Sequence, residues 1–210
     1  MKFNDVIFIH IPRTGGTYIE SQLCKKYNVN IEWPQVNEEN LFGFKKVNNN
    51  NYLTLQHLTI NEMIKYNYFE DNKYVFTIIR HPYDRITSLF NNWFSRFNSI
   101  EDFLNKLEKL NINEYKYEGI QTTKDNFNFR NMTDDLNDIK YFVLPQYYYI
   151  KNNNNIKVNV IKFDEMEKLN NILNLNIKFK NNKSDDIDQS VKDKIYQLYK
   201  VDFDNFNFEK

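Results

Sequence analysis

A short loop near the beginning of the chain has the residue types of an anion-binding site. It follows the apolar run 6–11, precedes a helical pattern, and consists of Pro12, Arg13, Thr14, Gly15, Gly16 and Thr17. Two adjacent glycines let the bare main chain approach a ligand, and a helix that begins near Gly16 directs unpaired N–H groups toward the loop. The loop therefore predicts a site for a phosphate or sulfonate, with a Gly-Gly turn that binds no ligand as the alternative.

A second group of polar side chains follows the apolar run 74–79. Arg80 ends this run, and Ser88 lies about two turns into the helical pattern that comes next. Ligands of open α/β sheets bind at the carboxyl ends of the strands, where Arg80 can offer a planar set of donors to a phosphate and Ser88 a hydroxyl. The alternative is structural: Arg80 and Arg85 would pair with Asp84 and other carboxylates and hold the helix in place.

Apolar periodicity indicates the elements that position these two groups. We predict strands over residues 6–11, 52–55, 74–79 and 156–163, and helices over 16–27, 59–66, 82–97, 100–110, 164–173 and 191–206. Thr59 and Glu62 have the spacing of a capping box, and Asp164 is expected to cap the helix that follows it. Residues 111–138 are polar and poorly periodic, which predicts a long excursion over one face of the sheet. Alternating strands and helices predict an α/β fold with a mainly parallel central sheet flanked by helices.

Composition limits the class of protein. We expect residues 1–210 to form a single domain, because no linker-like segment divides them. Lys plus Arg (28) balance Asp plus Glu (28), so no general basic field favours nucleic acid or a membrane surface. No signal peptide or membrane-spanning segment is recognised, so the expected location is the cytoplasm. The one cysteine, Cys24, excludes an intrachain disulfide and is expected to pack in a helix.

Together the two motifs resemble those of the sulfotransferase family, in particular its carbohydrate sulfotransferases of the heparan sulfate 2-O-like branch. The family loop His-x-Pro-Lys-Thr-Gly-Gly-Thr corresponds to residues 10–17, and Arg-x-Pro-x-x-Arg-x-x-Ser-x-Tyr corresponds to residues 80–90. Further segments resemble the family in the same order, at residues 57–59, 145–150, 160–164 and 199–206. The resemblance extends over nearly the whole chain.

This resemblance implies a P-loop-like three-layer α/β sandwich that binds 3′-phosphoadenosine 5′-phosphosulfate (PAPS) as donor and releases 3′,5′-adenosine bisphosphate (PAP). It places the 5′-phosphosulfate in the loop of residues 12–17 and the 3′-phosphate on Arg80 and Ser88. Arg13 stands where the family has a lysine that stabilises the leaving group. Arginine keeps the charge but is bulkier and stays protonated, so it cannot act as a proton donor. Phe90 replaces the last tyrosine of the second motif.

The expected reaction is a direct in-line transfer of the sulfuryl group to an acceptor hydroxyl, with Arg13 and His57 as catalytic residues. His57 is the preferred general base because it follows a predicted strand and precedes a capped helix. A purely structural His57, or a Glu or Asp base, is the alternative. His10 is expected to pack or to orient the loop, and His81 to face solvent or a carboxylate. The dispersed histidines predict no metal site.

The acceptor is expected to be a carbohydrate hydroxyl, with tyrosine or a small phenol as alternatives. Trp93, Phe94 and Phe97 would stack on a sugar or belong to the core. Two other functions stay open. The chain could bind a nucleotide or glycan without turnover, or it could be a P-loop nucleotide kinase, although the loop lacks the Gly-x-x-x-x-Gly-Lys-[Ser/Thr] pattern. Oligomeric state is not indicated.

Overall fold

The structure is a computed structural model that describes residues 1–31, 35–48, 51–95, 97–110, 112, 121–123, 140–178 and 187–210. Its strands, numbered along the chain, are β1 (Val6–Ile9), β2 (Phe44–Asn48), β3 (Asn51–Thr54), β4 (Tyr74–Ile79), β5 (Gln121–Thr123) and β6 (Asn159–Lys162). Its helices are α1 (Gly16–Tyr27), α2 (Ile60–Lys65), α3 (Pro82–Leu89), α4 (Ile100–Lys109), α5 (Lys140–Val143), α6 (Tyr147–Ile150), α7 (Lys168–Leu173) and α8 (Gln189–Phe206).

A three-stranded parallel sheet with the order β1-β4-β6 lies at the centre of the fold. β1 and β4 are apolar along their length and buried, as expected for strands covered on both faces. Phe8 and Phe76 stack across the two strands on one face of the sheet, with ring centroids 4.9 Å apart, while Ile7 and Val75 pair on the other. The prediction of an α/β fold with a mainly parallel central sheet is confirmed.

Successive side chains of each strand point to opposite sides of the sheet, so apolar strands need cover on both faces. Helices provide that cover. One apolar core lies under α1 and α7 and contains Phe8, Ile19 and Leu169. The other lies under α3, α4 and α8 and contains Ile7, Ile86 and Phe103. Because β1, β4 and β6 are parallel, their carboxyl ends meet at one edge of the sheet. The two predicted anion-binding motifs begin at this edge.

A second, antiparallel sheet with the order β2-β3-β5 was not anticipated from the sequence. Its strand β3 is followed directly by a 3₁₀ turn, Leu55–His57, which carries His57 to the edge of the parallel sheet. The second sheet thus positions the predicted general base.

Several predicted boundaries are confirmed and others are wrong. The helix α1 has the predicted bounds, and the capping box of Thr59 and Glu62 is present at the start of α2. The predicted helix 82–97 is wrong beyond Leu89, because the chain changes there to a π-helical segment, Phe90–Phe94. Asp164 does not cap a helix: it lies in a 3₁₀ turn, and α7 begins only at Lys168. Most of the predicted excursion 111–138 lies outside the described residues.

Candidate functional site

The loop between β1 and α1 contains two residues in a left-handed backbone conformation. Gly15 has a φ of 82° and Arg13 a φ of 67°, both in the left-handed region. This region costs glycine little but strains arginine, and such strain is concentrated at functional sites. Thr14 is fully buried and turns inward, where its Oγ1 donates to Ile11 O at 2.8 Å. The loop conformation is therefore fixed by its own contacts.

The N-terminus of α1 carries no side-chain cap, and its first turn contains no acidic residue. The N–H groups of that turn and the positive end of the helix dipole therefore point at the loop, where an anion is favoured. The binding of an anion by Gly16 and Thr17 stays a prediction.

Gly16 is required by the close approach of His10. A Cβ at Gly16 would lie 1.9 Å from His10 Cδ2 and 2.0 Å from His10 Nε2. The imidazole cannot move away easily, because His10 Nδ1 pairs at 2.7 Å with Glu20 Oε1, one turn further along α1. His10 and Glu20 thus fix the first turns of α1 against β1, as the sequence predicted for His10.

Arg80 follows β4 and brings a second cation to the loop. Its Nη1 lies 3.5 Å from Arg13 O, and its guanidinium carbon lies 4.5 Å from the ring centroid of Phe163, which follows β6. Its Nε is buried and has no hydrogen-bond partner among the described residues. A buried guanidinium N–H without a partner is costly, so this atom marks a place for an acceptor.

The Arg13 guanidinium extends across the site to Ser88 on α3. Nε and Nη2 both donate to Ser88 Oγ, at 3.2 and 2.9 Å, and the guanidinium carbon lies 5.3 Å from the centroid of a Trp93 ring. Burial lowers the pKa of both arginines, and the charge of Arg80 lowers that of Arg13 further. Among the described residues neither guanidinium forms an ion pair. The charge of Asp84 opposes the lowering of the Arg80 pKa. Two neighbouring guanidinia at one helix N-terminus nevertheless favour an anion with more than one charge.

Arg85, the other arginine of the second motif, has a structural role. It is fully buried and donates to three main-chain carbonyls: Nε to Pro12 O at 3.0 Å, Nη1 to Leu144 O at 2.8 Å and Nη2 to Phe142 O at 2.9 Å. The proposed pairing of Arg85 with carboxylates is therefore wrong, since these carbonyls take its donors. Arg85 instead ties the anion loop to α3 and to α5.

His57 is buried and faces the same site. Its Nδ1 is 2.9 Å from His10 O, and because a carbonyl only accepts, Nδ1 carries the proton and the lone pair of the neutral ring is on Nε2. Burial lowers the pKa of His57 well below 6.5, and the nearby His10 lowers it further. His57 is therefore neutral at physiological pH. His81 lies elsewhere, at the N-terminus of α3, where its Nε2 is 3.0 Å from Glu209 O.

One cavity of 530 Å³ joins most of the predicted site residues. Its lining includes Pro12, Arg13, Gly15, Gly16, Thr17, His57 and Arg80, and also Trp93, which the sequence offered either as a sugar-stacking residue or as part of the core. Lining residues not predicted from the sequence are Tyr18, Glu20, Phe42, Gln56 and Phe163. Thr14 and Ser88 do not line it. Glu20 could have been found, because it lies one helical turn from Gly16 on the same face of α1. Phe42 carries no such signal.

The aromatic residues near the end of α3 separate into two groups. Phe94 and Phe97 are buried and pack on Phe103 at 5.0 and 5.5 Å between ring centroids, so they belong to the core. Trp93 is half-buried, packs edge-on against Phe142 at 4.8 Å and lines the cavity. It lies in the π-helical segment, a geometry that is frequent at functional sites.

Within the described ranges, no group of three or more His, Cys, Asp or Glu side chains is arranged to hold a metal ion. No helix in the same ranges is both long and apolar enough to cross a membrane.

The central sheet, the glycine-containing loop and the helix that follows it define an α/β protein with a P-loop-like fold. A family model described as "Sulfotransferase family" matches residues 2–180, which is most of the chain. The chain therefore belongs to the sulfotransferase family, and the resemblance carried by its two motifs is confirmed at that level. Comparisons with curated proteins and with solved structures find no match.

Proposed function

We propose that this sulfotransferase takes its sulfuryl group from PAPS and transfers it to an acceptor hydroxyl on a carbohydrate. The observation that carries the proposal is the pair of half-buried guanidinia, Arg13 and Arg80, at the N-terminus of α1. Neither forms an ion pair with another described residue, and Arg80 Nε is a buried donor without an acceptor. A ligand with two separate anionic groups fits these residues.

In this proposal the loop binds one anionic group of the donor and Arg80 binds the other. The main-chain N–H groups at the start of α1, together with Arg13, would hold the 5′-phosphosulfate. Arg80 would hold the 3′-phosphate. Ser88, predicted as its second ligand, accepts from Arg13 in this structure and would have to exchange that partner for the phosphate. A second cavity of 360 Å³ adjoins the first, and Arg80 and Phe163 line both. A ligand as long as a nucleotide can therefore extend past Arg80.

The donor supplies an activated sulfuryl group, whose transfer breaks one S–O bond to phosphate and forms one to the acceptor oxygen. Arg13 stabilises the negative charge that develops on the departing phosphate. His57 accepts the proton of the attacking hydroxyl at Nε2, because its Nδ1–H is held by His10 O. Because its pKa is lowered by burial, His57 is in the neutral form that a general base requires at physiological pH.

Aromatic side chains in the cavity lining favour a carbohydrate acceptor. Tyr18, Phe42 and Trp93 line the cavity that contains His57. Aromatic rings stack on the apolar faces of sugars while the sugar hydroxyls remain available for reaction. Tyrosine and small phenols, which also stack on aromatic rings, are the alternative acceptors.

Transfer of labelled sulfate from PAPS to a panel of glycans, tyrosine peptides and phenols tests this function. We expect a labelled glycan product with the wild-type protein, strong loss with Arg13→Ala, and full activity with Lys200→Ala, which removes an exposed cation far along the chain. Binding of PAP with no transfer to any member of the panel would instead support a protein that binds the nucleotide without turnover.

A further inference from the structure

The main chain of Arg80 is held by a single side chain from another part of the fold. Gln146 Oε1 accepts a hydrogen bond from Arg80 N at 2.8 Å, and Gln146 Nε2 donates to Arg80 O at 2.8 Å. The last residue of β4 that pairs with β1 is Thr77, and the last that pairs with β6 is Ile79. The amide of Gln146 therefore takes over where the sheet no longer pairs the chain.

Gln146 is in turn held by α8. It is fully buried, and Asp202 Oδ2 accepts from Gln146 N at 2.9 Å and from Gln146 Nε2 at 3.3 Å. Asp202 Oδ1 accepts from Tyr147 N at 2.9 Å. Because Nε2 has two acceptors, Asp202 and Arg80 O, the orientation of the amide is fixed.

The side chain of Arg80 has few contacts of its own that would fix it. Its Nη1 contact with Arg13 O is long, at 3.5 Å, and its ring contact with Phe163 lacks a fixed direction. The charge of Asp84 attracts the guanidinium, but a charge interaction also lacks a fixed direction. The direction in which the guanidinium leaves the chain depends on the backbone of Arg80, at the point where a strand becomes the helix α3. That backbone is what Gln146 holds.

We propose that Gln146 is a positioning residue for the Arg80 guanidinium and that Asp202 positions Gln146, so that together they set the affinity for the 3′-phosphate of the nucleotide. The inference rests on the proposed function, in which Arg80 binds that phosphate. It gives the helix α8, which is far along the chain from the anion loop, an indirect role in donor binding through Asp202.

Calorimetric titration of four proteins with two nucleotides tests the proposal: wild type, Gln146→Ala, Arg80→Ala and the double variant, each with PAP and with AMP, which lacks the 3′-phosphate. We expect Gln146→Ala to weaken PAP binding about tenfold and AMP binding less than about twofold. In the Arg80→Ala protein, the same substitution should have no further effect on PAP.

Two further variants separate positioning from general stability. Asp202→Asn keeps the shape of the side chain but removes an acceptor, and it should also weaken PAP binding. It tests the proposal in place of Gln146→Ala if that variant does not fold. Tyr199→Phe removes another buried hydrogen bond of α8, from Tyr199 Oη to Val143 O at 2.6 Å. It should lower the Tm and leave the affinity for PAP unchanged.

Equal losses for PAP and AMP, or a Gln146→Ala effect of the same size with and without Arg80, would overturn the positioning role while leaving the donor site intact. A wild-type protein that binds neither nucleotide would overturn the proposed function and this inference with it.

Discussion

Arg13 donates two hydrogen bonds to Ser88 Oγ, at 3.2 Å from Nε and 2.9 Å from Nη2. These side chains belong to the two sequence motifs and come from different elements, the loop after β1 and the last turn of α3. Their contact shows that the motifs form one site. It also shows that the arginine at this position reaches across the site to a residue expected to bind the other phosphate.

Substitution of Arg13 should act mainly on turnover. Arg13→Ala should lower kcat for sulfate transfer by about a hundredfold, because it removes charge stabilisation of the leaving group. Arg13→Lys keeps the charge and should retain much of the activity, since only the paired bonds to Ser88 are lost. Steady-state kinetics with varied PAPS measures both. Arg80→Ala should instead raise the KM for PAPS, and small, equal effects of Arg13→Ala and Arg80→Ala would contradict the donor site.

His57 should make the protein less stable as the pH falls. Its pKa in the folded protein is held well below 6.5 by burial, so the unfolded chain binds the proton first on acidification. Stability that is present above about pH 6.5 is therefore lost below it, by at most ~1.4 kcal/mol per pH unit for one proton. His57→Asn keeps an N–H for His10 O but does not titrate.

Urea denaturation of both proteins at several pH values from about 7 to 5 measures this difference. The free energy of unfolding of the wild type should fall more steeply than that of His57→Asn. The neighbouring ion pair of His10 and Glu20 is common to both proteins. Parallel pH dependences would show that His57 is not held neutral by the fold.

Gly16→Ala should be destabilising because of one neighbour. The new Cβ would overlap the His10 ring, at 1.9 and 2.0 Å, and overpacking of this kind costs about 1–3 kcal/mol or more. The cost should nearly disappear in a His10→Ala background, where Ala is the better helix former. Thermal unfolding of the four proteins measures this coupling, with exposed Ser21→Ala as the control on α1. An undiminished cost without His10 would contradict the assigned clash.

Arg85→Met should destabilise the fold rather than alter chemistry directly. The substitution leaves Pro12 O, Phe142 O and Leu144 O without their buried donor, which should cost about 3 kcal/mol or more. Urea denaturation measures the loss. Lys200→Met, which removes an exposed ion pair with Asp204, should leave the free energy of unfolding almost unchanged. Equal effects of the two substitutions would refute the structural role of Arg85.

The first β-loop-α unit and β4 were predictable because local signals and burial agree there. Apolar residues without alternation identify β1 and β4, and the glycines locate the start of α1. The antiparallel sheet was not predictable in the same way. β2 contains two adjacent lysines, and its pairing with β3 and β5 depends on residues distant in the sequence.

The site was predictable where a motif is continuous in sequence and not where long-range contacts define it. Arg13 and Arg80 follow strand signals directly. Gln146 and Asp202 act only through hydrogen bonds between segments that are 56 residues apart. Arg85 was misjudged because a cation in a polar motif suggests a carboxylate partner, whereas its carbonyl partners are provided by the main chain and leave no trace in the residue types.

Binding of PAP in the presence of a metal chelator tests the central claim most directly, since the claim assigns both anionic groups to Arg13, Arg80 and the start of α1. Calorimetry should show that one PAP binds per chain and that AMP binds with markedly weaker affinity. In a separate assay with magnesium, the protein should not hydrolyse ATP. Magnesium-dependent hydrolysis of ATP by a protein that does not bind PAP would contradict the account and favour a nucleotide kinase or NTPase.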